Sequence, residues 1–284
     1  MPARGGAFWV LIGVGAILRA SATIGSCAVA TAIVHTLWTD GAGRLVATWY
    51  LVLPAFALVV LNGIGLLGEL KLCGVAVRVN RRLRRSALPA PARVRSVGQR
   101  LGLITTVERA PDDHVFALTY GLWRPRIVLS DGLLARCSDD ELAAVLEHEA
   151  EHVRARDPLR ILLSRFAVLR SPFMPALAHL AQRARCDAEL AADRRAACRV
   201  GPAVLARALL VASAPPPPLA GGVAAGFGDR DIFEARVQQL EGVRPVWGRP
   251  TRRAVAISAG GVLLISWFVV AASLTASLLH PYCG

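Results

Sequence analysis

The sequence predicts a multi-span membrane protein of the α+β class, mainly α, with a folded domain between its membrane helices. The 284-residue chain is 54% hydrophobic, and its mean hydropathy of +0.47 is high for a soluble domain of this length. Its longest uncharged segments lie towards the two ends. The formal net charge of +13 comes largely from arginines between those segments, as in membrane proteins whose cytoplasmic loops are basic.

Three apolar segments are predicted to cross the membrane. The stretch 254–279 carries no charged residue, and at about 1.5 Å per residue it is longer than a hydrocarbon core of about 30 Å. The stretch 46–68 is also uncharged. A further crossing is expected at 20–38, with the shorter stretch 8–18 in or near the interface. A cleavable leader is the alternative for this first segment, because small residues at 20–22 follow an apolar run.

The placement of basic residues predicts which parts of the chain face the cytoplasm. Residues 71–100 include nine basic residues and no acidic one, and three arginines stand just before the last crossing. Basic residues near membrane segments stay in the cytoplasm. We therefore expect 71–253 to be cytoplasmic and the tail 280–284 to lie outside.

The basic charge does not predict a nucleic-acid-binding protein. The sequence shows neither the Cys/His spacing of a zinc finger nor a basic surface interleaved with aromatic residues. The six cysteines are scattered and form no C-x-x-C pair, which is typical of free thiols rather than a disulfide framework. No direct nucleic-acid partner is expected.

A charged helix is predicted in the middle of the chain. Ser138 stands three residues before Glu141, and this capping-box spacing places the start of a helix at about Asp139. The dipeptide Asp157-Pro158 is expected to end it, because the residue before a proline avoids the helical region. The charge therefore lies on one helix of about five turns.

This helix carries the motif H-E-x-x-H, formed by His148, Glu149 and His152. Histidines four residues apart lie one turn apart on the same face, so both imidazoles can bind one metal ion. Zinc lowers the pKa of a bound water towards about 7, and Glu149 is placed to take its proton during attack on a peptide carbonyl. The alternative is a surface helix with histidines that bind nothing.

A third ligand is sought in the stretch CDAELAADRRAAC, 186–198, which is predicted to be a second helix. Glu189 and Asp193 share one face of this helix, one turn apart. Glu189 can bind zinc, while Asp193 can accept a hydrogen bond from a ligand imidazole and fix its tautomer. Asp157 competes with Asp193 for that supporting role, and a solvated charged helix is the alternative.

The motifs together resemble a known family. The stretch FALTYGLWRPRIVLSDGLLARCSDDELAAVLEHEAEHVRARDPL, followed by E-x-x-x-D in ELAAD, resembles the M56 membrane metallopeptidases, the family of the BlaR/MecR signal transducers. It is more distantly similar to the M48 group of Ste24 and HtpX proteases. The resemblance covers about 114–200, and the stretch 231–242 more weakly.

The resemblance implies a cytoplasmic, gluzincin-like zinc metallopeptidase domain with a small sheet, an active-site helix and a ligand helix. It implies Zn²⁺ ligands at His148, His152 and Glu189, with Glu149 as the catalytic acid and base and Asp193 supporting a ligand. In that fold, the strand in GLWRPRIVLS lies beside the cleft, and an extended substrate can add along its edge. A transition-state oxyanion needs a further donor, and His114, Tyr120 and Arg124 are equal candidates for it.

The chain departs from the receptor members of this family. They carry a penicillin-binding sensor after the last membrane helix, whereas only HPYCG follows residue 279 here. Direct sensing of beta-lactams is therefore not expected. The sequence also shows one N-terminal crossing fewer than the family's four-span pattern.

The predicted function is regulatory proteolysis by a zinc-dependent membrane endopeptidase, with the bilayer and a protein substrate as partners. The substrate would be a cytoplasmic transcriptional repressor or the chain itself. A membrane quality-control protease of the HtpX type and a non-catalytic signalling scaffold are the alternatives.

The apolar, basic and motif-bearing segments divide the chain into regions. Residues 159–185, between the two motif helices, are predicted to lie on the inner leaflet or to form a buried amphipathic helix. The expected regions are an N-terminal membrane region 1–70, a basic juxtamembrane segment 71–100, a metallopeptidase domain 101–212, a Pro/Gly linker with a helix 213–253, a membrane helix 254–279 and a tail 280–284.

Overall fold

A computed structural model describes residues 6–39, 42–43, 49–212, 229–243, 248 and 250–279. The helices are α1 Gly6–Thr39, α2 Trp49–Ser86, α3 Ala92–Arg100, α4 Asp131–Arg136, α5 Asp139–Ala155, α6 Asp157–Arg170, α7 Pro175–Val200, α8 Pro202–Ala212, α9 Asp229–Leu240 and α10 Arg252–Leu279. The strands are β1 Leu88–Pro89, β2 Val107–Ala110, β3 Ala117–Tyr120 and β4 Arg126–Ser130. A mainly helical chain with one small sheet confirms the predicted fold class.

The chain forms two compact units. The sheet unit comprises mainly Val75–Leu163 and Gln182–Gly248, and the helical unit comprises Ala7–Gly74, Ser164–Ala181 and Arg249–Gly284. The predicted tail 280–284 and most of the linker lie outside the described residues.

Most of the chain that can cross a membrane lies in the helical unit. Within the described residues, three helical stretches are long and apolar enough: Gly6–Thr39, Val59–Ser86 and Arg252–Ala271. Their most apolar windows are at most 17% buried, so their large apolar side chains face outwards. Such surfaces are typical of helices solvated by lipid rather than by water.

The first helix is longer than the predicted crossing. α1 runs without a break from Gly6 to Thr39, so the stretch 8–18 that was assigned to the interface belongs to the same helix as 20–38. Arginine is a good helix former, and Arg19 does not interrupt α1. Its Nη2 atom lies 3.2 Å from Oε2 of Glu69 on α2, which gives the charge a partner.

A buried ion pair joins α2 and α6 within the helical unit. The Arg170 guanidinium donates from Nε and Nη2 to the two oxygens of Glu69 at 2.9 and 3.2 Å, and from Nη1 to Oδ1 of Asn62 at 2.6 Å. The approach is close because Gly68 leaves room for Leu169, whose Cδ2 would lie 2.9 Å from a Cβ at that position. Small residues allow such close helix crossings in membranes.

The pairs that Glu69 forms with Arg170 and with Arg19 test how burial changes the contribution of an ion pair to stability. The side chain of Arg170 is 11% exposed and that of Glu69 7%, whereas Arg19 is 49% exposed. We expect Arg170→Met to lower the free energy of unfolding by about 3 kcal/mol, because it removes one member of a buried pair. Arg19→Met should cost at most about 1 kcal/mol. Thermal unfolding of the full chain in detergent measures both, and equal losses would contradict this assignment.

The sheet unit is built around a four-stranded sheet of order β1-β2-β4-β3. β4 pairs in parallel with β2 and antiparallel with β3, while β1 pairs antiparallel with β2. β4, the strand of GLWRPRIVLS, therefore has a partner on each side. The expectation that substrate adds along its edge is wrong, because β3 occupies that position and is itself the edge strand.

Alternation along β4 divides the core of the sheet unit into two faces. Ile127 and Leu129 point towards α5 and belong to the main core, whereas Val128 faces the other way and packs with Tyr120 and Leu83. Because side chains alternate along a strand, the register that pairs Thr119 with Ile127 places Thr119 on the α5 face. The edge strand thus presents a hydroxyl to the motif helix.

The stretch 159–185 is not one helix. α6 ends at Arg170, and α7 begins at Pro175 and continues to Val200. Met174 and Leu177 are buried in a cluster with Leu11 and Ala167 in the helical unit. Part of this stretch therefore packs as a core segment, as in one of the two predicted alternatives.

Candidate metal centre

The motif helix α5 starts where its capping box places it. The Ser138 hydroxyl accepts a hydrogen bond from the backbone N–H of Glu141 at 3.3 Å, and Oε2 of Glu141 accepts from the backbone N–H of Ser138 at 2.8 Å. The Glu141 carboxylate accepts hydrogen bonds from the backbone N–H and the hydroxyl of Ser138, and these lower its pKa. The helix ends at Ala155 because Arg156 adopts a left-handed conformation at φ 54°, and Asp157 begins α6.

Three donor atoms converge from α5 and α7. The Nε2 atoms of His148 and His152 lie 3.1 Å apart. Oε2 of Glu189 lies 3.5 Å from Nε2 of His148, and Oε1 lies 3.9 Å from Nε2 of His152. One donor atom from each of these three residues lies within 4.8 Å of the others.

These separations fit a tetrahedral metal site. Donors about 2.0–2.1 Å from a four-coordinate ion are about 3.3 Å from one another, close to the three distances between His148, His152 and Glu189. Two imidazoles and one carboxylate leave a fourth position open, as in catalytic rather than structural sites. The residues present therefore fit a bound divalent cation.

Each of the two histidines lies against its own aspartate. Nδ1 of His148 lies 2.9 Å from Oδ1 of Asp193, and Nδ1 of His152 lies 2.8 Å from Oδ2 of Asp157. A proton on Nδ1 leaves the lone pair of Nε2 free to bind a metal. Asp193 and Asp157 were weighed as competitors in the sequence, and the structure places each beside a different histidine.

Electrostatics in the site depend on these contacts. Burial acts to lower the pKa of His148, but the close carboxylates of Asp193 and Glu189 outweigh it and raise the pKa to about 9. Burial acts to raise the pKa of Glu189, but His148 and His152 have the larger, opposite effect, and the pKa is lowered. The pKa of each of these groups is thus set by its neighbours in the cluster more than by burial.

Glu149 is positioned by the edge strand. Its side chain is buried, and its Oε2 lies 2.7 Å from the hydroxyl of Thr119, which also lies 3.1 Å from the backbone carbonyl of Glu149. Thr119 was missed in the sequence because its role depends on the register of β3 beside α5. Alternation in a four-residue strand offered no signal for it.

Arg236 of α9 is the second residue that the sequence did not identify. It donates from Nε and Nη2 to the two oxygens of Asp193, both at 2.7 Å, and its Nη1 lies 3.6 Å from Oε2 of Glu189. The weak resemblance noted at 231–242 was the available signal. It pointed to the segment without indicating the arginine.

The three residues considered as oxyanion donors have other surroundings. Tyr120 is buried on the sheet face opposite α5, and its hydroxyl donates to Glu108. His114 Nδ1 lies 2.7 Å from Oδ1 of Asp112, and Arg124 is exposed in the turn between β3 and β4. Neither Tyr120 nor His114 is oriented towards the three donor atoms by these contacts.

Comparison with known proteins supports the same region. Residues 117–209 match the family model described as BlaR1 peptidase M56. This segment runs from β3 to α8 and includes the motif histidines, Glu149 and Glu189. None of the curated proteins compared with the chain matches it. The predicted resemblance to M56 is confirmed, and the distant similarity to M48 stays a prediction.

Proposed function

Because residues 117–209 belong to the peptidase M56 family, we propose that the chain is a zinc-dependent membrane endopeptidase. His148, His152 and Glu189 would hold the ion. The observation that carries this proposal is the convergence of three donors within 4.8 Å, next to a buried carboxylate. Two imidazoles and one carboxylate favour zinc over manganese or iron.

The site residues have separate chemical roles. A divalent metal held by the three donors would supply a Lewis acid and lower the pKa of a water molecule. Glu149 accepts a proton from the attacking water and delivers it to the departing amide nitrogen. Because Thr119 donates to Oε2 of Glu149, we assign the proton transfer to Oε1. Asp193 and Asp157 keep the two imidazoles in the tautomer that leaves Nε2 available.

The substrate is proposed to bind as an extended strand. Within the described sheet, β3 pairs with β4 on one side and forms the edge on the other. An extended peptide can add to such an edge through backbone hydrogen bonds. Thr119 of β3 contacts Glu149, so a peptide paired with β3 would run beside the catalytic carboxylate.

We further propose that the site faces the cytoplasm and serves regulation. The support is the basic segment 71–100, which includes the last turns of α2, because basic residues flanking membrane helices stay inside. A cytoplasmic repressor or the chain itself is then the substrate. A quality-control protease would use the same site, whereas a non-catalytic scaffold would have no need of Glu149.

Removal of metal tests the proposed chemistry. We expect the purified full chain in detergent to contain about one zinc ion per chain by mass spectrometry. A chelator should abolish cleavage of an unfolded protein substrate, and added Zn²⁺ should restore it, because no side chain in the site replaces the Lewis acid. If the reconstituted chain binds no transition metal, the proposal fails.

Fragment mapping separates regulation from quality control. Membranes from cells with the wild-type chain are compared with membranes from cells with Glu149→Gln, and the new N-termini that only the wild type produces are sequenced. One or a few cytoplasmic sites in a regulator support regulatory proteolysis. Many sites in damaged membrane proteins would support quality control instead.

A further inference from the structure

Each of the two proposed ligand histidines contacts an aspartate, and each aspartate in turn contacts an arginine. His148 contacts Asp193, which contacts Arg236. His152 contacts Asp157, and Nη1 of Arg160 lies 3.3 Å from Oδ1 of Asp157. The two series of contacts involve the same residue types but differ in hydrogen-bond geometry and burial.

The contacts of Arg236 constrain Asp193 more strongly than those of Arg160 constrain Asp157. Both oxygens of Asp193 accept from Arg236, at 2.7 Å each, and the carboxylate is fully buried. Paired parallel hydrogen bonds between a guanidinium and a carboxylate fix orientation as well as charge. Arg160 makes a longer contact with Asp157, and this arginine belongs to the helix that Asp157 itself begins.

A fully buried carboxylate needs a cation. The side chain of Asp193 has no exposed surface, and Arg236 faces both of its oxygens at 2.7 Å. If Arg236 were absent, the buried carboxylate would lose its cation and the two hydrogen bonds that fix its orientation beside His148. Arg236 neutralises Asp193 and is not itself displaced by a metal.

We propose that Arg236 is a positioning residue of the metal centre: it orients Asp193 and balances its charge, so that His148 presents Nε2 to the ion. This inference rests on the proposed metallopeptidase function. According to this inference, α9 supports the metal centre, although α9 lies beyond the segment 117–209 that matches the family.

The packing of α9 supports this assignment. Ile232 and Ala235 of α9 are buried against Cys186 and Leu190 of α7. The Gln239 amide donates to the carbonyl of Leu190 at 3.0 Å. α9 therefore packs against α7, the helix that bears Glu189 and Asp193. Arg236 contacts the site from a packed helix rather than from an isolated loop.

The test measures Zn²⁺ affinity of the full chain in detergent by competition with a chromophoric chelator, with Zn²⁺ alone as the probe. We expect Arg236→Gln to weaken affinity by about 10- to 100-fold, the range found when a group supporting a metal ligand is lost. The matched control Arg160→Gln should weaken it by less than about 3-fold. Arg236→Lys, which keeps the charge but loses the paired geometry, should fall between wild type and Arg236→Gln.

A double variant separates positioning from general damage. If Arg236 acts through Asp193, Arg236→Gln combined with Asp193→Asn should bind Zn²⁺ no more weakly than Asp193→Asn alone. This variant also removes both charges together, which a buried site tolerates better than the loss of one. It therefore remains informative if Arg236→Gln does not fold.

The outcomes distinguish this inference from the proposed function. Wild-type affinity in Arg236→Gln, equal losses in the two arginine variants, or losses that multiply in the double variant would each overturn the role of Arg236. If the wild-type chain itself binds no Zn²⁺, the metallopeptidase proposal fails first.

Discussion

Glu149→Gln is expected to retain metal and to lower kcat for peptide hydrolysis by about 10³-fold. General acid and base groups contribute roughly 10²- to 10⁴-fold to such reactions. The amide that replaces the carboxylate can still accept a hydrogen bond from Thr119 through its oxygen, but it cannot take a proton from water at neutral pH. Glu149 is not one of the three converging donors, so metal content should stay at the wild-type value.

The measurement compares kcat, KM and metal content in Glu149→Gln with those in a matched control, Glu151→Gln. Glu151 lies on the same helix, is also buried, and pairs with Arg154 at 3.0 Å. Its substitution removes the same charge without touching the three donors, and we expect a change in kcat of less than about 3-fold. Full activity in Glu149→Gln would show that this carboxylate is not the acid and base. Loss of its metal would contradict the prediction that Glu149 lies outside the set of metal ligands.

Glu189→Ala should produce the second large effect, a loss of Zn²⁺ affinity of more than about 100-fold. That figure is the upper end of what loss of a group supporting a ligand costs, and removal of a ligand itself is expected to exceed it. The substitution leaves two histidines, and it also removes the carboxylate that lies 3.6 Å from Nη1 of Arg236. Hydrolysis should be lost together with the metal.

Asp187→Asn is the control for Glu189. Asp187 lies two residues earlier on α7, and burial raises the pKa of its carboxyl, but it is not one of the converging donors. Chelator competition should give it an affinity close to that of the wild type. If Glu189→Ala retains wild-type affinity, another group supplies the third ligand and the proposed centre has to be revised.

The helical part of the site could be predicted because it depends on local rules. Capping and four-residue spacing are properties of one helix, and they located α5 and the shared face of His148 and His152. The same rule paired Glu189 with Asp193 on α7. The approach of these two helices to each other came only from the family resemblance and the fold.

The missed residues depend on contacts between distant segments. Thr119 reaches Glu149 through the pairing of β3 with β4, and Arg236 reaches Asp193 across 43 residues of sequence. Neither contact has a periodicity to recognise. The wrong edge strand has the same origin: the order β1-β2-β4-β3 is not the order of the chain, so β4 could not be recognised as central from its sequence.

If the chain is the proposed endopeptidase, the position of β3 at the edge of the described sheet limits which peptides can be cleaved. Pairing with such a strand engages the peptide backbone, which every protein shares, so sequence alone would select targets only weakly. A segment already paired within its own sheet has no free backbone groups to offer. Tethering to a bilayer would further limit targets to chains within reach. Under the proposed function, selection would then rest on accessibility: unfolded tails and linkers near the membrane would be cut, and folded neighbours would survive.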